Sequence, residues 1–145
     1  MIYIGIDTGV NTGVAVWDNR QRTFLQIETM KIHKAMELVE QYMGKASFEG
    51  TKIIVRVEDA RQRKWFEKKY SKKGEEENVL QGAGSIKRDA KIWDDYLADL
   101  GVEYQMVPPK GGMTKYTSER FKALTGWKKP TNEHNRDAAM LVFGF

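Results

Sequence analysis

The sequence predicts an α/β fold, a mixed five-stranded sheet with helices on both faces. Three observations carry this. Five short apolar stretches have strand character, the first three are separated only by tight turns, and the last two each follow a longer segment of helical periodicity. The order that results is βββ-α-β-α-β-α-α.

Ile2 to Asp7 reads as a buried strand with Ile2, Ile4 and Ile6 on one side. Gly9 and Gly13 bracket a turn holding Asn11 and Thr12. Val14 to Trp17 is a second strand, and Asn19-Arg20 turns into a third from about Thr23 to Thr29, which makes an antiparallel meander. A helix is expected from about His33 to Lys45, where Ala35, Leu38, Val39 and Tyr42 recur at helical spacing. Lys52 to Val57 is the fourth strand and runs into Glu58-Asp59. Arg61 to Glu77 is polar without clear period and reads as a long loop or frayed arm. A helix follows from about Asn78 to Leu100, stopped by Gly101. Val102 to Val107 is the fifth strand, ended by Pro108-Pro109. Two helices close the chain, Thr114 to Leu124 and Glu133 to Phe143, the second with Asn132 placed as its N-cap.

At 145 residues the expectation is one domain spanning 1–145. Hydrophobic residues make up 41% and charged residues 30%, a globular balance rather than a disordered one. No apolar run approaches the roughly 20 residues that span a bilayer, and the N-terminus lacks a signal-peptide pattern. Cysteine is absent, which removes disulfides, thiolate zinc sites and cysteine nucleophiles. A cytoplasmic location, or the host cytoplasm for a viral protein, is the expectation. The net charge of +4 and pI near 9.2 make a polyanionic partner plausible.

Asp7 ends the first strand and Glu58 the fourth; each falls opposite its strand's isoleucine and valine face. If the two strands pair in parallel, both carboxylates project from the carboxyl edge of the sheet, where α/β proteins place their sites. Asp137 lies in the first turn of the last helix, with His134 three residues earlier on the same face. Clustered carboxylates repel unless a cation offsets them, and hard oxygen donors suit Mg²⁺. Two such ions, about 3.5–4 Å apart, can activate water and stabilise the leaving oxygen of a phosphodiester. Each residue has a plainer reading: Asp7 as a turn residue, Glu58 as a strand reaching solvent, Asp137 as a partner of the helix dipole, His134 as a local hydrogen-bonding group. Asp59 and Glu133 are spare acids nearby. The weight lies in the set and its order.

That set resembles a known family. The opening IGIDTGVNTGVAVWD is similar to the first-strand motif of RuvC-type Holliday junction resolvases, VRVEDA to their fourth-strand glutamate motif, and HNRDAAMLVFGF to their C-terminal His-x-x-Asp-Ala helix. The three blocks occur in family order across most of the chain. The resemblance implies an RNase H-like fold, a homodimer, two Mg²⁺ ions per active site (with Mn²⁺ as a substitute) and symmetric nicking of four-way DNA junctions. It makes Asp7 the shared metal ligand, gives Glu58 and Asp137 one ion each, and places His134 beside them as a metal or phosphate contact. QGAGSIKRDAKIW resembles the helix start that follows the glutamate strand. PPKGGMTKYTSERF resembles the segment whose lysines approach the scissile phosphate, so Lys110 and Lys115 are catalytic candidates. The chain is somewhat shorter than bacterial members, and the tract after Glu58 is more charged, which bears on substrate preference.

RQRKWFEKKYSKK, residues 61–73, holds seven basic residues, one acid and three aromatics. Cations neutralise phosphates and aromatic faces stack on unpaired bases, so Arg61, Arg63, Lys64, Trp65, Phe66, Lys68, Lys69, Tyr70, Lys72 and Lys73 are candidate contacts to branched DNA. A solvated amphipathic helix is the plainer alternative. Ala83, Gly84, Ile86, Ala90 and Trp93 form a small-residue helix face suited to pack on a second copy. Competing functions are a nuclease acting on RNA or RNA–DNA hybrid, a non-catalytic nucleic-acid-binding module, and a phosphotransferase of the sugar kinase, actin and heat-shock ATPase group. The last needs two such domains and a second phosphate loop, for which the chain has no room.

Overall fold

The structure, a computed structural model, describes residues 1–63, 73–110 and 115–145; for 73–81 and 83 the description is of the backbone. Five strands form one sheet: β1 (Ile2–Asp7), β2 (Asn11–Asp18), β3 (Thr23–Lys31), β4 (Ile53–Glu58) and β5 (Glu103–Val107). Their order across the sheet is β3-β2-β1-β4-β5. The first three strands are the expected antiparallel meander, and β4 joins β1 in parallel, as β5 joins β4. The fold is a mixed five-stranded α/β sheet with helices on both faces.

Helices α1 (Ile32–Glu49) and α2 (Lys73–Leu100) cover one face, α3 (Ser118–Thr125) and α4 (Glu133–Met140) the other. Strand alternation assigns the faces. Ile4, Ile6, Val14, Val16, Ile53, Val55 and Val57 point to α1 and α2, where Leu38, Val39, Trp93 and Leu97 close the core. Each large apolar side chain taken out of water there contributes about 1.5–3 kcal/mol before entropy. Ala15, Trp17, Phe24 and Ile27 face α3 and α4. Trp17 stacks edge-on against Phe24 and Phe143. Among the described residues no helix is long and apolar enough to cross a membrane.

Several boundaries differ from expectation. As described, helix α2 already includes Lys73, ahead of the expected start near Asn78. The run Glu75-Glu76-Glu77 lies within it, and glutamate is a good helix former. Helix α3 starts at Ser118, because Thr117 caps it by accepting from the Arg120 amide. Helix α4 stops at Met140, three residues short of the expected end, and the carbonyl of the next residue, Leu141, is taken by Arg56 of β4 at 2.7 Å. A short 3-10 turn, Ala60–Gln62, opens the polar tract. On the expected twin-packing face of α2, Gly84 and Ile86 are exposed but Ala90 and Trp93 are not. Both are fully buried within the chain, Trp93 in the core cluster that the sheet shares with α1 and α2.

Candidate active site

Two glycines decide where α4 sits. A Cβ on Gly5 would lie 2.1 Å from the Ala138 carbonyl oxygen, and one on Gly13 2.1 Å from that of His134. The α4 backbone therefore rests directly on β1 and β2, closer than any side chain permits. Its register is held by a capping box between Asn132 and Asn135, while Thr29 of β3 donates to the Asn132 side chain at 3.0 Å. Fully buried Ala138 and Ala139 complete the packing. The first turn of α4 is thereby laid beside the end of β1.

Ile6 pairs with Val57, so Asp7 and Glu58 follow one residue later at the same edge of adjacent parallel strands, both on the α4 side. Asp7, Glu58, His134 and Asp137 line one cleft of about 330 Å³, together with Lys110, Lys115 and Arg63. His134 Nδ1 lies 3.0 Å from Asp7 Oδ2. Arg63 donates to Glu58 Oε1 at 3.3 Å. Lys115 pairs with Glu133 and stands 4.0 Å from Asp137 Oδ2. All six sequence-predicted catalytic candidates meet here, from four separate stretches of chain.

The electrostatics are those of acids crowded with too little compensation. The Asp7 carboxyl is pushed up to about 7, first by burial and then by the Glu58 charge, against the lowering effect of His134. Burial also raises Glu58, with Arg63 opposing, and raises Asp137, with Lys115 opposing. A hard cation placed among them would offset both desolvation and mutual repulsion. Among the described residues, no three of the acidic or histidine side chains close into a cage by themselves. Mg²⁺ does not require one, since it takes one or two carboxylates and keeps waters or substrate oxygens for the rest. The hard, partly buried oxygens of the cleft are of the kind a divalent cation takes as ligands.

The neighbouring acids separate cleanly. Asp59, 3% exposed, turns away from the cleft and receives Arg61 through two guanidinium bonds of 2.8 and 2.9 Å, plus Gln62 at 3.2 Å. Burial works to raise its pKa, but these hydrogen bonds hold it below the ordinary aspartate value. Arg61 also reaches Asp94 at 2.9 Å, which in turn accepts from Tyr104 at 2.7 Å. So Arg61, expected at the DNA, has its guanidinium committed to two carboxylates, an arrangement that braces β4, β5 and α2. Glu133 remains at the rim with Lys115. Of the other expected DNA contacts, Arg63 is in the cleft, Lys73 opens α2, and Lys64, Trp65, Phe66, Lys68, Lys69, Tyr70 and Lys72 lie outside the described residues.

Sequence reasoning passed over Gly5, Tyr116 and Arg136. Tyr116 lines the cleft. Arg136, next to Asp137, donates to the Tyr116 carbonyl at 2.9 Å and to the Thr131 carbonyl and hydroxyl at 3.1 Å. Only Gly5 had a legible signal, a glycine inside an otherwise bulky strand.

No protein-family profile matches the sequence, and no curated protein sequence matches it. Among solved structures the chain is similar to that of Thermus thermophilus RuvC, with a TM-score of 0.50 and 16% identity over 97% of this chain and 90% of that one. At this identity the likeness establishes the fold.

Proposed function

We propose that this chain is a divalent-metal-dependent endonuclease that nicks branched DNA, with four-way junctions as the preferred substrate. The observation that carries the reading is the meeting of Asp7, Glu58 and Asp137, from β1, β4 and α4, in one cleft that also holds Lys110 and Lys115. The same acids, in the same order, are the ones that resemble the RuvC-type motifs, and the fold is shared with a protein named RuvC.

In this reading Asp7, Glu58 and Asp137 hold Mg²⁺, with Mn²⁺ as a substitute. When bound, the metal supplies an activated water and charge stabilisation for phosphodiester hydrolysis. His134 orients the Asp7 carboxylate through the 3.0 Å approach of Nδ1. Lys115 and Lys110 offer cations to the phosphate where charge develops. Arg63, held on Glu58, is a further cation on the opposite wall. The residues 64–72, with Trp65, Phe66 and Tyr70, would stack on the unpaired bases of a branch point. Two copies give two cuts, so the protein acts as a homodimer.

The test offers purified protein a four-way junction, linear duplex, RNA–DNA hybrid and single strand, with Mg²⁺ or EDTA. The expected result is junction nicking that requires metal and disappears in Asp7→Asn. Cutting that survives EDTA or Asp7→Asn would refute the mechanism, and equal cutting of linear duplex would refute junction preference. Sedimentation of the active protein reads the dimer.

A further inference from the structure

The chain's net charge of +4 is unevenly distributed. Residues 61–73 carry +6, from seven cations and one acid. Residues 116–131 carry +3, from Arg120, Lys122, Lys128 and Lys129 against Glu119. The rest of the chain therefore sums to −5. A merely solvated surface has no reason to segregate charge in this way.

The second basic stretch is an excursion between β5 and α4 with a defined base. Arg136 donates to Tyr116 at its start and to Thr131 at its end, so one guanidinium closes the loop on both sides. Phe121, fully buried, anchors α3 on the sheet, and Trp127 packs edge-on against Phe24. The cations stay outside. Arg120, Lys122, Lys128 and Lys129 are exposed, and among the described residues none of them has a carboxylate within 4.0 Å. Two are instead held over rings, Arg120 at 5.6 Å from the Tyr116 centroid and Lys129 at 5.7 Å from that of Trp127. Such ring packing fixes a cation in place while leaving its hydrogen-bond donors available. Tyr116 and Lys115 at the base line the catalytic cleft, and Arg63 from the first basic stretch lines it too.

We propose that the 116–131 excursion is a second nucleic-acid surface, which grips the phosphate backbone of a duplex arm as that arm leaves the cleft. It rests on the nuclease reading for which substrate is engaged, but its own support is the segregated charge and the ring-held, carboxylate-free cations. The grip is on phosphates, so it supplies affinity and register rather than sequence preference.

The experiment measures binding without cutting. Fluorescence anisotropy in EDTA follows a labelled four-way junction and a linear 30-base-pair duplex from low to moderate salt. The variant carries Arg120→Ala, Lys122→Ala, Lys128→Ala and Lys129→Ala; a control carries Lys34→Ala and Lys45→Ala on α1. Removing one phosphate-binding cation flattens the slope of log affinity against log salt by about 0.9. The expected result is a slope shallower by about 2–4 and affinity near 0.1 M salt weaker by roughly 10–100-fold, on both probes, with an unchanged thermal midpoint and an unchanged control. An unchanged slope in the variant, or an equal weakening in the control, overturns the proposal. Wild-type protein that binds with the steep slope but never cuts in Mg²⁺ refutes the nuclease reading and leaves this surface standing. Wild-type protein that cuts while the variant binds as tightly does the reverse.

Discussion

Glu58 and Asp59 are adjacent in the chain, yet they sit in opposite electrostatic surroundings. Glu58 faces the cleft with Asp7 and Asp137, where burial and neighbouring acids raise carboxyl pKa values. Asp59 faces the other way, into a network with Arg61, Gln62, Asp94 and Tyr104 in which its buried oxygens are hydrogen-bonded. The second arrangement is what a stable fold makes of a buried acid. The first costs stability, and it persists where a cation or a substrate supplies the missing charge. Burial alone therefore does not mark a functional acid; the sign of its surroundings does.

Activity separates the two acids most sharply. Asp7→Asn, Glu58→Gln and Asp137→Asn are each expected to lower single-turnover junction nicking on the order of 10³-fold or more, while Asp59→Asn, assayed on its folded fraction, stays within about tenfold of wild type. Comparable losses in all four would mean that the two regions are one site.

Gly13→Ala tests the support beneath the cleft. Its methyl group would meet the His134 carbonyl, so α4 must shift. Denaturant unfolding should show a loss of about 2–4 kcal/mol, and nicking should fall further than the folded fraction does. A neutral outcome would show that α4 is not seated as described.

Asp59→Ala probes the satisfied side. Removing it leaves Arg61 with Asp94 alone, at a cost of about 1–2 kcal/mol, less than for a wholly buried pair because the Arg61 side chain is 29% exposed. Chemical denaturation measures it, and a change under about 0.5 kcal/mol would mean that the network does not hold the fold.

The smallest effect has the opposite sign. Asp7 holds its proton up to about pH 7 when folded but releases it near the ordinary 3.8 when unfolded. That contribution is full at pH below the unfolded value and is lost as pH rises through the folded one. Metal-free Asp7→Asn should therefore melt a few degrees higher than wild type at pH 8 and show less gain at pH 5, a difference of order 1–2 kcal/mol. Mg²⁺ should raise the wild-type midpoint more at pH 8 than at pH 5, and should do little for Asp7→Asn. Scanning calorimetry at the two pH values reads both, and a destabilised Asp7→Asn at pH 8 would contradict the crowding of acids in the cleft.

Much of this was legible in the residues. Ile2, Ile4 and Ile6 alternate with Asp7 on the other side, and strand parity alone places Glu58 on that same side, as the register then shows. The Asn132 cap could be read because capping is local chemistry. Arg61 could not be separated from Arg63: both look like cations in a basic run, and only the approach of Asp94 from α2 commits the first. Trp93 and Ala90 read equally as core or as a face for a second copy, because helical spacing gives a face but not what lies against it.

Period, propensity and capping act within a few residues. The order of elements, the face of each strand and the order of the acids were accordingly present in the chain before it folded. How closely they meet, and which charge each one faces, was not. That depends on backbone packing between distant segments, α4 on Gly5 and Gly13, and on which partner reaches each charge first. Coulomb interactions and desolvation act through space, and Glu58 and Asp59 became different residues only when the sheet set one on each side.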